Sequence, residues 1–157
     1  IAFGTTYDLN DLASKSKGQR GTELQFQRSL NSYMADMIFK FKGFSIFSEF
    51  IRKETNDPYG RKEKFLDPTI AGTFTTGYGF NGQAGYVTKS GWGAVGRFTN
   101  VTPDSQTLLT ENNQYTLAFS KYIVNHKFKI QTDGTYIDNL GAKANVFMWR
   151  FHMEVGF

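Results

Sequence analysis

The chain has 157 residues, enough for one domain, and a net charge of +4. It has no cysteine, which excludes disulfides, thiolate metal sites and cysteine nucleophiles together. No run of about 18 apolar residues occurs, so no helix is suited to cross a bilayer, yet 16 Phe, 8 Tyr and 2 Trp in a chain only 39% hydrophobic suit a protein greasy at defined levels and wet elsewhere.

Residues 1–9 alternate, with Ile1, Phe3, Tyr7 and Leu9 on one face. A period of two predicts a strand with one apolar and one polar face. Residues 10–28 are polar and basic, with Lys15, Lys17 and Arg20, and read as a long loop. Alternation returns over 33–41, Lys42-Gly43 is a tight turn, and 44–54 runs back with Phe44, Ile46 and Phe50 opposite Phe47, Glu49 and Ile51. Residues 52–67 hold nine charged side chains with Pro58 and Gly60, so a solvated loop is expected over 52–74.

The next strand, 76–88, sets Tyr78, Phe80, Ala84 and Tyr86 against Asn81, Gln83 and Gly85. After a short turn at 89–91, residues 92–100 set Trp92, Ala94 and Phe98 against Gly93, Val95, Arg97 and Thr99. A polar loop follows at 102–113. Residues 115–124 then set Tyr115, Leu117, Phe119 and Ile123 against Thr116, Ala118 and Ser120. A two-residue turn is expected at Asn125-His126, and 128–136 sets Phe128, Ile130 and Tyr136 against Lys127, Lys129, Gln131 and Asp133. A loop at 138–145 leads to the last strand.

That strand alternates to its last residue, with Trp149, Phe151, Met153, Val155 and Phe157 on one side and Arg150, His152 and Glu154 on the other. A strand ending on Phe resembles the C-terminal sorting signal of bacterial outer-membrane barrels, which makes these five positions a candidate barrel-assembly signal. Connections alternate long and short throughout. Long polar loops at one end and tight turns at the other predict an antiparallel transmembrane β-barrel with extracellular loops and periplasmic turns. Strands of about 9–13 residues fit the need for about 9–11 tilted residues. Aromatics fall into two groups, Phe41, Phe44, Tyr86, Trp92, Phe128 and Phe157 near the turns and Tyr33, Phe50, Tyr78, Phe98, Tyr115 and Tyr136 towards the loops, as a double girdle requires. The whole chain, 1–157, is expected to form part of one all-β barrel domain of about eight strands.

Several stretches carry a family resemblance: Ala35-Asp36-Met37-Ile38-Phe39-Lys40-Phe41-Lys42-Gly43-Phe44 through Glu49, Gly82-Gln83-Ala84-Gly85-Tyr86, Ala94-Val95-Gly96-Arg97-Phe98, Tyr115 to Tyr122, and Arg150 to the end. Together they resemble the C-terminal half of the phosphate-selective porins O and P, over most of 29–157. The resemblance implies a barrel of roughly sixteen strands, usually trimeric, in the outer membrane of a Gram-negative bacterium, passing phosphate or other anions. It also implies that the constriction loop lies outside this chain, so phosphate selectivity is not carried over. Implied partners are outer-membrane lipid, the barrel-assembly machinery and small anionic or neutral solutes.

Candidate pore-lining bases are Arg97, Lys40, Lys42, Lys127, Lys129, Arg150 and His152; candidate acids are Asp36, Glu49, Asp133 and Glu154. Basic groups on a pore wall raise the local anion concentration. If Phe41 faces Phe44, then Asp36 faces Glu49, and two opposed carboxylates repel. Across the 89–91 turn Gln83 faces Arg97, which leaves that guanidinium uncompensated and makes it the best single anion-attracting candidate. The two histidines are too far apart for a metal site, and the opposed carboxylates lack the accompanying elements of a glycosidase. No catalytic residue, metal or cofactor is expected. The leading expectation is a porin for passive diffusion of small hydrophilic solutes with weak anion preference. Alternatives are a barrel subunit with a structural role in a larger outer-membrane assembly, a self-closed eight-stranded barrel and a soluble ligand-binding barrel. A nucleic-acid binder is excluded, because the basic residues form no compact patch.

Overall fold

The computed structural model describes residues 1–19, 23–55, 76–104, 110–124, 128–141 and 144–156. Eight strands form one sheet: β1 (Ala2–Gln19), β2 (Glu23–Phe41), β3 (Phe44–Glu54), β4 (Gly77–Val87), β5 (Trp92–Pro103), β6 (Asn112–Val124), β7 (Phe128–Asn139) and β8 (Val146–Val155). Every neighbouring pair is antiparallel and the spatial order is the chain order. The described residues contain no helix. Each strand packs only on its sequence neighbours, and β1 and β8 do not touch, so the sheet is open and one layer thick.

The turns show why the hairpins close where they do. Lys42 and Gly43 both have positive φ, 46° and 86°, the pattern of the two-residue turn whose twist suits a hairpin. Gly43 is required twice, because a Cβ there would lie 2.4 Å from the Val87 carbonyl oxygen. That close approach is used: Val87 N donates to Gly43 O at 2.8 Å. The next turn repeats the device. Gly91 has φ 83°, its Cβ would meet Tyr122 O at 2.6 Å, and Tyr122 N donates to Gly91 O at 2.8 Å. Thr88 closes this turn, accepting at Oγ1 from Trp92 N at 3.0 Å. Each turn is thus stitched to the following strand.

The expected loop over 10–28 is corrected. β1 continues to Gln19 and β2 starts at Glu23, paired regularly to Asn10↔Leu30 and irregularly to Lys15↔Glu23. The backbone ladder there does not depend on apolar alternation: the end of β1 is polar on both faces and leaves no periodic signal, while the start of β2 carries only the short alternation of Leu24 and Phe26. Smaller corrections follow at other loops: β3 runs to Glu54, β5 to Pro103, and β6 starts at Asn112. The remainder of the expected 52–74 loop and the 125–126 turn lie outside the described residues.

Both tight-turn registers expected from sequence occur: Phe41↔Phe44 brings Asp36 opposite Glu49, and Gln83 stands opposite Arg97. One face carries the apolar rows. Phe41, Phe44, Tyr86, Ala94, Phe119, Thr132 and Phe151 form one row; Phe39, Ile46, Ala84, Gly96, Leu117, Gly134 and Trp149 form the next. With no second layer among the described residues, this face stays open: Phe147 is 69% exposed, Trp149 74% and Phe151 70%. The only buried residues among those described are small or hydroxylic, namely Ser32, Thr76, Gly85, Gly93 and Thr135.

The edges of the sheet step steadily. The row containing Thr6, Met34, Ile51, Gly79, Val101, Asn112 and Asn139 serves as a ruler. At the loop end, regular pairing stops four residues beyond this row in β1–β2 (Asn10↔Leu30), two beyond in β3–β4 (Lys53↔Gly77), on it in β5–β6 (Val101↔Asn112) and two short of it in β7–β8 (Ile137↔Val146). The turn end moves the same way: β2–β3 stops at the Phe41↔Phe44 row, while β6–β7 runs on to Val124↔Phe128, four residues further along β7 from Thr132. The stagger is therefore about one residue per strand.

Candidate polar wall and apolar belt

Face membership follows from register. The row on the polar side through Phe47, Gln83, Arg97, Thr116 and Thr135 lies beside the row through Lys40, Ser45, Gly85, Val95, Ala118, Asp133 and Arg150. Of the candidate bases, Lys40, Arg97, Lys129, Arg150 and His152 stand on this face, together with the acids Asp36, Glu49, Asp133 and Glu154. Lys42 is not on the wall but in the tight turn between β2 and β3, its Nζ over the Phe41 ring, and Lys127 lies outside the described residues, as does Phe157 of the terminal signal.

Two bases are neutralised by register partners. Arg150 donates from Nε and Nη2 to Asp133 Oδ1 at 2.9 and 2.7 Å, and Asp133 is nearly buried beneath it. Lys129 Nζ lies 3.6 Å from Glu154 Oε2, directly across the β7–β8 pair. Arg97 differs. Its Nη2 donates to Thr116 Oγ1 at 3.3 Å, Thr116 is linked to Thr135 by a 2.8 Å hydroxyl contact, and its Nε is buried with no acceptor. No carboxylate among the described residues pairs with it. Arg97 and the Arg150–Asp133 pair line one polar hollow of about 210 Å³, with Gln83, Ser120 and Gln131. Two guanidinium groups and one carboxylate leave that hollow with an excess positive charge.

Asp36 and Glu49 are both exposed and opposed, and neither has an ion-pair partner among the described residues. No group of three or more metal-ligating side chains occurs among the described residues. His152 is exposed and stands across from Gln131. The ion pairs on β7–β8 were not legible beforehand, because a loop separates those strands and its length does not set the register. The Thr116–Thr135 hydroxyl ladder beneath Arg97 was hidden for a related reason: threonine alternates in any strand.

The apolar face is bounded. On β4 it runs from Tyr78 to Tyr86 and on β8 from Phe147 to Val155. Along the row of Phe50 and Phe80, the following strands carry Asn100, Asn113 and Asp138, so the loop-side boundary falls as the sheet proceeds. At the other margin the belt extends beyond the Phe41 row to Trp92, Ile130 and Met153, and then to Phe128 and Val155. The belt thus slips about four residues between β2 and β8, in the same sense as the rims. Loop-side polar groups on this face bond one another: Arg52 reaches Glu54 Oε1 at 3.1 Å and Asp104 Oδ1 at 3.0 Å, Asn100 Nδ2 donates to Asn113 Oδ1 at 2.8 Å, and Thr102 Oγ1 to Glu111 Oε1 at 2.9 Å.

Comparison with known protein families, with curated proteins and with solved structures finds no match.

Proposed function

We propose that this chain forms part of the wall of an outer-membrane β-barrel porin, with the apolar belt against lipid and the polar face lining an aqueous passage. The carrying observation is that both rims slip by about one residue per strand and that the belt slips in the same sense, by about four residues over the six steps from β2 to β8. A shift of about 3.3 Å along the strand for each about 4.8 Å across it corresponds to a tilt of about 35°, within the range barrel closure requires. A frame tilted in this sense brings the belt closer to level, and a membrane is what demands a level belt. Nine residues span about 27 Å along a strand and about 22 Å along the normal at that tilt, close to the roughly 25 Å apolar band of such barrels. A soluble sheet must bury its apolar face on a second layer, and none of the described elements provides one.

The resemblance to the phosphate-selective porins O and P accords with this reading and gives the reaction class, passive diffusion of small hydrophilic solutes. The excess positive charge around Arg97 favours anions. The test is planar-bilayer conductance of the full-length protein under a salt gradient. An open channel with mild anion preference is expected, and Arg97→Glu should move the reversal potential towards cations. Absence of conductance would favour a structural role in a larger outer-membrane assembly, and an unmoved potential would place selectivity elsewhere.

A further inference from the structure

The turn-side margin of the apolar face has a composition that the passage does not explain. Lys121 is an outward-facing cation inside the belt, in register with Trp92 and Ile130. Its Nζ sits 4.6 Å from the Trp92 ring centroid and donates to Ser90 O at 2.8 Å, which bends it towards the turn. Lys42 Nζ lies 5.2 Å from the Phe41 ring in the neighbouring turn, and Lys89 is exposed in the turn that Ser90 shares. Three ammonium groups thus stand along one edge, two of them held on aromatic faces within cation–π range. No described carboxylate faces outward there. Glu154, the acid at this level, is on the opposite face and paired with Lys129. The loop-side margin is the reverse, with Arg52 enclosed by Glu54 and Asp104.

We propose that this margin is a docking surface for anionic phospholipid headgroups in the leaflet on the tight-turn side. The belt fixes the depth: acyl chains cover Phe119, Ile130 and Met153, so the headgroup phosphates fall level with the margin where Lys121 emerges. A long lysine stem lying on an aromatic ring keeps apolar contact while its ammonium reaches the interface. An anionic headgroup meets three cations and no opposing acid, whereas a zwitterionic headgroup also places its own ammonium beside them. The inference rests on the membrane reading above.

The experiment separates the two. The full-length barrel is reconstituted with either Trp92 or Trp149 as its sole tryptophan, in vesicles of phosphatidylcholine containing acyl-brominated phosphatidylglycerol or acyl-brominated phosphatidylcholine. Trp149, in the belt, should be quenched equally by both lipids. Trp92 should be quenched preferentially by the anionic lipid, with a relative affinity of about threefold to fivefold that falls as salt is raised. The triple substitution Lys42→Gln, Lys89→Gln, Lys121→Gln should abolish that preference and leave Trp149 quenching unchanged. Equal quenching of Trp92 by the two lipids would overturn the inference, as would a preference that survives the triple substitution. No quenching of Trp149 by either lipid would overturn the membrane reading itself.

Discussion

At the scale of single residues, charge on the polar face is decided by who stands across the ladder. Arg150 and Lys129 have carboxylates opposite and Arg97 has Gln83. Removing one acid should therefore act through its partner. Asp133→Asn frees the Arg150 guanidinium in the hollow it shares with Arg97, so the reversal potential of the proposed channel should move further towards anions, opposite in sign to Arg97→Glu. Equal potentials for Asp133→Asn and the unaltered protein would show that this hollow does not face the ion path. Backbone conformation gives a second prediction. Gly43→Ala places a Cβ against Val87 O at a positive φ, and the left-handed region alone costs a non-glycine residue about 1–2 kcal/mol. Urea unfolding in lipid vesicles should show a loss of at least about that size. These positions also show what the sequence discloses. The Asp36–Glu49 and Gln83–Arg97 pairings follow from short turns, whose residue types fix the register by simple counting. Asp133–Arg150 sits across a longer connection, where counting fails.

At the scale of the strand, the face assignment rests on alternation alone, and register turns it into rows that span the sheet. Ala94 and Phe151 share one row of the apolar face, whereas Thr99 and His152 stand on the other. A lysine introduced at Ala94 or Phe151 should cost about 2–4 kcal/mol near the bilayer midplane, while lysine at Thr99 or His152 should be mild. Folding free energies of the four variants in lipid vesicles check this, and the reversed order would invert every face described here. Elements within the belt were legible because one side of each strand stays apolar throughout, which enforces alternation. The paired stretch was not: over 10–19 polar side chains on both faces carry no period, and over 23–28 the alternation of Leu24 and Phe26 with Glu23, Gln25 and Gln27 is only two apolar positions long and is outweighed by the polar, basic surroundings. Loop composition and solvated-strand composition are the same composition, and only the backbone ladder tells them apart.

At the scale of the whole molecule, the decisive fact is that β1 and β8 are both edges. An open edge in hydrocarbon costs several kcal/mol for each unsatisfied backbone group, so a membrane wall of this kind must have further strands at both sides or close on itself. The stagger predicts what self-closure would look like. About one residue per strand over eight strands shifts the closing register by about eight residues. Carried round from the Phe3 and Phe147 row, that shift would set Phe3 opposite Val155 and Thr5 opposite Met153. An eight-stranded interior is just wide enough to be filled by side chains, whereas the polar face here includes Gly4, Gly85, Gly93 and Ala118 alongside solvated charges. Met34, Ile38, Phe47, Ile51 and Met148 on the same face would suit a filled interior, but the small and charged residues suit a wider, water-filled lumen, so we expect the edges to pair with additional strands of a larger barrel. Thr5→Cys with Met153→Cys provides the test in the full-length, heat-modifiable protein. No intramolecular disulfide should form under mild oxidation, while a control pair at Phe50 and Phe80, neighbours across β3–β4, should cross-link readily. Efficient linkage of 5 to 153 within one chain would show that the sheet closes on itself as an eight-stranded barrel.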